Sequence, residues 1–104
     1  MNKSGGTYQI VSSTDVDKTF YNGTSAELYE LPASPAAGEE YKFVVPVGGQ
    51  QLRVTNAASL QCIFLQTNGP FSSVSANTIG STLWLVYVNT NWVAFGPTNN
   101  WSSP

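Results

Sequence analysis

Six carboxylates, four basic residues, one cysteine and three tryptophans carry most of the chemistry this sequence offers. Asp15 and Asp17 stand one residue apart in the polar run Ser12-Ser13-Thr14-Asp15-Val16-Asp17. Oxygen ligands at that spacing suit Ca²⁺, but the glycine and glutamate of a calcium-binding loop do not follow. A solvated turn with side chain-to-backbone hydrogen bonds is the simpler reading. Glu27, Glu30, Glu39 and Glu40 invite a two-carboxylate glycosidase reading. That chemistry needs two carboxyls across a cleft, one with its pKa raised by burial. Glu39-Glu40 follow a Pro/Gly-rich connection, and Glu27 and Glu30 read as edge-strand charges that deter sheet-to-sheet pairing. The sequence holds no histidine, which removes Ser-His-Asp and Cys-His nucleophile systems and imidazole metal sites. Cys62 is alone, so neither an intrachain disulfide nor a multi-thiolate cluster is available within one chain. It sits in an apolar stretch as a small hydrophobe. No enzyme, metal or cofactor is expected from these groups.

Trp84, Trp92 and Trp101 lie among Asn, Thr and Ser. A ring face beside amides suits the C–H face of a sugar, which keeps a glycan-binding fibre or spike module as the alternative function. Trp84 and Trp92 also read as partners across the last hairpin. Trp101 lies in the polar tail Pro97–Pro104, either anchoring in a neighbouring subunit or folding back on its own sandwich. The four basic residues do not cluster, so a nucleic-acid partner is not expected. Met1-Asn2-Lys3-Ser4-Gly5-Gly6 lacks the apolar core of a secretory signal, and the apolar run Leu83–Val88 is too short for a membrane helix. No membrane partner is expected. Asn22-Gly23-Thr24 and Asn100-Trp101-Ser102 match the glycosylation pattern, which acts only in a eukaryotic secretory route.

The 104 residues that position these groups fit one domain, 1–104. Apolar residues make up 41% and charged residues only 10%, against about 25% in ordinary domains. Ser, Thr, Asn and Gln supply 36 residues of neutral polarity instead. Strands are expected near Tyr8–Val11, Thr19–Tyr21, Ala26–Leu31, Tyr41–Val45, Gln51–Thr55, Leu60–Gln66, Thr82–Val88 and Asn91–Phe95. Asn22-Gly23 and Gly48-Gly49 offer φ > 0 for hairpins, and Asn89-Thr90-Asn91 should close the last one. Asn68-Gly69-Pro70 and Gly96-Pro97 read as strand breakers. Leu31–Gly38 reads as a stiff connection, with at most one helical turn at Ala36–Glu40. The expected fold is all-β: an antiparallel β-sandwich or barrel of about eight short strands, with loose arms at 1–6 and 97–104. No internal repeat is evident.

Gln51–Thr55 alternates cleanly, with Leu52 and Val54 on one face. Two strands do not. Ile63 and Leu65 oppose Leu60, Cys62 and Phe64, while Leu83, Leu85 and Tyr87 oppose Trp84, Val86 and Val88. A sandwich of this size has no third layer for a second apolar face, so cover from another chain is expected. Covering such a face contributes about 1.5–3 kcal/mol per large side chain. The expected interface residues are Ile63, Leu65, Leu83, Trp84, Val86, Tyr87, Trp92 and Trp101.

One order of segments carries a resemblance. A Tyr-x-Ile strand leads to Thr19-Phe20-Tyr21-Asn22. Leu31-Pro32-Ala33-Ser34-Pro35-Ala36-Ala37-Gly38-Glu39-Glu40-Tyr41-Lys42-Phe43 follows. A Gly-Gly turn, Gly80-Ser81-Thr82-Leu83-Trp84-Leu85 and Asn91-Trp92 complete it. This order resembles small β modules of tailed-bacteriophage virion proteins, among them capsid decoration (cement) proteins, head fibres and tail-fibre segments. A reading frame beginning at Met1 favours a free-standing decoration protein. The resemblance implies a homotrimer on the outer surface of the virion capsid, made in the host cytoplasm. It would bind the major capsid protein and stabilise the head shell. Trp101 and the N-terminal residues would meet the shell.

Overall fold

In a computed structural model of the chain, residues 2–3, 6–15, 18–22, 25–46, 50–56, 61–65, 68–96, 98 and 100–102 are described. Alternating apolar residues build two facing layers. The strands are β1 (Asn2–Lys3), β2 (Gly6–Gln9), β3 (Thr19–Asn22), β4 (Glu27–Glu30), β5 (Glu40–Val44), β6 (Leu52–Thr55), β7 (Ile63–Leu65), β8 (Asn68–Phe71), β9 (Ser73–Ala76), β10 (Thr82–Val88) and β11 (Asn91–Ala94). One helical turn, α1 (Ser12–Asp15), lies between β2 and β3. The larger sheet runs β1-β3-β5-β10-β11-β7-β8 and the smaller β2-β4-β6-β9.

The all-β expectation holds, but the sheets are mixed and not closed into a barrel. β1, β3 and β5 pair in parallel in the larger sheet. β2, β4 and β6 pair in parallel in the smaller one. The cause is the route of the chain. From β1 to β6, successive strands fall in alternate sheets, so each strand's neighbour is the strand two places along, running the same way. The chain winds through three circuits, stacking Tyr8 beside Tyr29 and Tyr29 beside Val54. The step after Asn22 therefore joins two sheets and does not close a hairpin. Gly23, Gly48 and Gly49 lie outside the described residues, but the strands flanking Gly48-Gly49, β5 and β6, are also in different sheets. Among the strands described, antiparallel pairs are β5–β10, β10–β11, β7–β8 and β6–β9.

A hairpin does form where Asn89-Thr90 predicts one. Val88 pairs with Asn91, and Asn89 and Thr90 hold φ of 50° and 66°. Both central residues are left-handed, as a two-residue turn matching sheet twist requires. The expected breaker Asn68-Gly69-Pro70 instead lies within β8, at the edge of the larger sheet, where a proline costs no ladder bond.

The core lies between the sheets. Phe20 and Phe43 of the larger sheet stack at 5.5 Å, and Tyr29 of the smaller packs on them at 5.0 and 5.8 Å. Ile10, Leu31, Leu52, Val54, Val74 and Leu85 also lie in the fully buried centre. Asn22, wholly buried, donates from Nδ2 to the carbonyls of Ser25 (3.0 Å), Gln50 (2.9 Å) and Gln51 (3.3 Å), tying two sheet-to-sheet steps together.

The arms are not loose where they are described. Asn2 and Lys3 pair with Tyr21 and Asn22. Ser102 pairs with Ser75 of β9 through N–H···O bonds of 2.8 and 3.1 Å, and Trp101 is buried at 6% exposure. Of the two readings of Trp101, the chain takes the second and folds back on its own sandwich.

Candidate functional site

Two polar clusters answer the sequence's carboxylate readings first. Asp15 is buried, and its Oδ2 accepts the Tyr8 hydroxyl at 2.8 Å and the Val11 N–H at 2.9 Å. Its Oδ1 pairs with Lys18 Nζ at 3.0 Å. Burial pushes this carboxyl up, but the Val11, Lys18 and Tyr8 bonds outweigh it and hold it below its ordinary range. Asp17 lies outside the described residues. Glu39 accepts the Ser12 hydroxyl (2.6 Å), the Ala36 N–H (2.7 Å) and the Tyr41 hydroxyl (2.6 Å). Burial is again outweighed by these bonds, and the carboxyl is lowered. Burial and the Glu39 carboxylate push the Tyr41 phenol well above its ordinary range. A glycosidase acid needs the opposite, a carboxyl kept protonated. These clusters fasten α1 and the 31–39 connection to the end of the sandwich.

The expected interface residues divide between two faces. Ile63, Leu65, Leu83, Trp92 and Trp101 are enclosed within their own chain. Trp92 packs against Tyr41 at 5.6 Å and Tyr87 at 5.1 Å, and Tyr87 is half-buried against the same core. The sequence shows that β7 and β10 carry two apolar faces but not which one meets the smaller sheet. The core takes the Ile63/Leu65 and Leu83/Leu85/Tyr87 faces, so these side chains need no second chain to cover them. Phe64, Trp84, Val86 and Val88 lie on the other side.

That outer face of the larger sheet is the candidate site. Trp84, 39% exposed, packs on Phe95 with ring centroids 4.5 Å apart. Its cross-strand neighbour on β5 is Lys42, whose Nζ lies 4.5 Å from the Trp84 ring centroid. One row further along, Val86 pairs with Val93, and Val93 with Phe64. Val88 and Tyr21 extend the apolar surface, at 38% and 37% exposed. Two rows of apolar side chains thus cross the strands side by side, with one cation on the aromatic face. Val93, Phe95 and Lys42 did not stand out as site residues. Their signal was alternation, since each lies one residue from a buried neighbour (Trp92, Ala94, Tyr41 or Phe43).

Comparison with protein-family models and with curated proteins finds no match to this chain. Among the described residues, no helix is long and apolar enough to cross a membrane.

Proposed function

We propose that this protein is a structural component of a phage virion, a decoration protein that adds contact area to the head shell as a homotrimer. The outer face of the larger sheet, with Trp84, Phe95, Val86, Val93 and Phe64, carries the reading. Contiguous exposed apolar surface marks contact with another macromolecule. Trp and Phe are residue types enriched in contact centres. With few charges in the sequence, such a contact rests on apolar area and neutral hydrogen bonds, and salt screens it little. The shell is stabilised by mass action, because the bound copy favours the assembled state. In this reading the outer face makes the contact between subunits of the trimer.

The test has two parts. Light scattering coupled to size exclusion should give three chain masses, and Trp84→Ser with Phe95→Ser should return the chain to one mass without unfolding it. Immunogold labelling of virions made with the chain should decorate heads. A monomer at all concentrations removes the trimer, and label confined to tail fibres favours the glycan-binding alternative.

A further inference from the structure

Sheet edges decide where a second chain can add a strand. Among the described residues, three of the four edges carry a feature that discourages addition. β1 is two residues long. β8 carries Pro70, which has no N–H, and its pairing with β7 is irregular between Ile63 and Leu65. On β9, Ser102 takes the outward N–H and C=O of Ser75. The fourth edge, β2, has a single strand neighbour, no proline and no charged side chain.

The direction of its backbone groups follows from its pairing with β4. The Ile10 N–H donates to the Glu30 carbonyl at 2.9 Å, so Ile10, Tyr8 and Gly6 turn toward β4. Thr7 and Gln9 turn their N–H and C=O away from the sheet. Both residues are exposed, and nothing among the described residues pairs with those outward groups. The Gln9 side chain leaves them clear, because its Nε2 donates to the Glu30 and Leu31 carbonyls at 3.3 and 3.2 Å and is tied back toward β4. At Gly6, an added Cβ would meet nothing within 4 Å. The edge is also fixed in place. Buried Glu27 accepts the Gly6 N–H at 2.9 Å, and buried Asp15 accepts the Tyr8 hydroxyl at 2.8 Å and the Val11 N–H at 2.9 Å. A preformed edge takes a new strand with little ordering of its own.

We propose that β2 pairs with β2 of a second copy, antiparallel, about a two-fold axis at Tyr8. The outward groups lie on either side of Tyr8, so that axis uses all of them. Thr7 faces the partner's Gln9 and Gln9 faces the partner's Thr7, each pair exchanging two N–H···O bonds. Both side chains are neutral, so like meets like without charge repulsion. Tyr8 is half-buried, its ring 6.3 Å from Phe20 and 6.1 Å from Tyr29. The axis sets it beside the partner's Tyr8, an aromatic cross-strand pair. The smaller sheets then run on through the axis as one. The contact holds little apolar area, so pairing is weak and appears at millimolar chain, above the dilute range that reads the trimer. It uses the edge of the smaller sheet and does not rest on the outer-face reading.

Disulfide trapping tests the pairing and its register. Full-length chains carrying Cys62→Ser and Thr7→Cys are mixed with chains carrying Cys62→Ser and Gln9→Cys, at millimolar concentration under glutathione exchange. Facing positions of a hydrogen-bonded pair have Cα atoms about 5.5 Å apart, within disulfide reach. The mixture should give at least about tenfold more linked dimer than either chain alone. A second arm needs no cysteine variant to fold. In the ¹⁵N-labelled parent chain, rising concentration should shift the Thr7 and Gln9 amides. Thr7→Pro removes an outward N–H and none of the chain's own ladder bonds, and should abolish the Gln9 shift. An unlinked mixture, or linkage equal in the mixture and in the single chains, overturns the proposal. So do concentration-dependent shifts confined to Trp84 and Phe95, or a Thr7→Pro chain that shifts as the parent does.

Discussion

Trp101→Ala separates a docked C-terminal segment from a free one. The Trp101 side chain is 6% exposed in the core, and the segment carrying it is held to β9 by the Ser75–Ser102 pair. Removing a buried tryptophan costs about 3–5 kcal/mol through lost transfer energy and the cavity left behind. One correction reduces this. The indole Nε1 is buried without a partner, and losing it relieves about 1–3 kcal/mol. The net expectation is a loss of about 2 kcal/mol. At roughly 4–8 °C per kcal/mol for a domain of this size, Tm should fall by about 8–16 °C. Trp101→Phe keeps most of the ring and removes the orphan N–H, so its Tm should stay within a few degrees of the parent. Thermal unfolding followed by circular dichroism, with a matching urea series, reads both variants. An alanine variant as stable as the parent would refute the docking argument, and a phenylalanine variant as damaged as the alanine one would refute the orphan-donor correction.

Thr90 is β-branched and left-handed in an exposed turn, so Thr90→Gly should stabilise the chain by about 1 kcal/mol in urea unfolding. Asn22→Ala should cost about 1–3 kcal/mol, because the Ser25 and Gln50 carbonyls at the sheet-to-sheet steps lose the amide donor, while the Gln51 carbonyl keeps the Glu27 N–H. Asp15 and Glu39 are lowered in the folded state. Their stabilisation is therefore complete above the ordinary carboxylate range near pH 4 and is lost as pH falls through the depressed folded values. Tm measured from pH 5 to pH 2 should drop, and Asp15→Asn should flatten that slope.

Strand positions were legible because burial forces alternation. Phe20, Tyr29, Tyr41, Phe43, Leu52 and Val54 each sit between less buried residues, and β3 to β6 lie where the pattern puts them. Strand direction was not legible. Asn-Gly and Gly-Gly steps serve a hairpin and a sheet-to-sheet step alike, and what distinguishes them at β3 is the Asn22 amide reaching carbonyls at 50 and 51, a long-range bond. β9 escaped notice because Ser73-Val74-Ser75-Ala76 offers one strong strand former, and its place is set by pairing with β6. The candidate site was half visible. Trp84 and Val86 were singled out, but two apolar faces on one strand look alike until the opposite sheet covers one of them.

The winding also shapes how a nascent chain reaches its final state. Neighbours in the parallel rows are about twenty residues apart or more, as Tyr8 with Tyr29 and Thr19 with Lys42 show. Early segments therefore gain little from local contacts during synthesis. β5 waits beside an unfilled edge until residues 82–94 emerge and their tight hairpin slots in beside it. Commitment comes late and from the C-terminal side, so a ribosome-bound intermediate stalled before residue 82 should stay protease-sensitive, exposing an adhesive strand to chaperones or to sister chains.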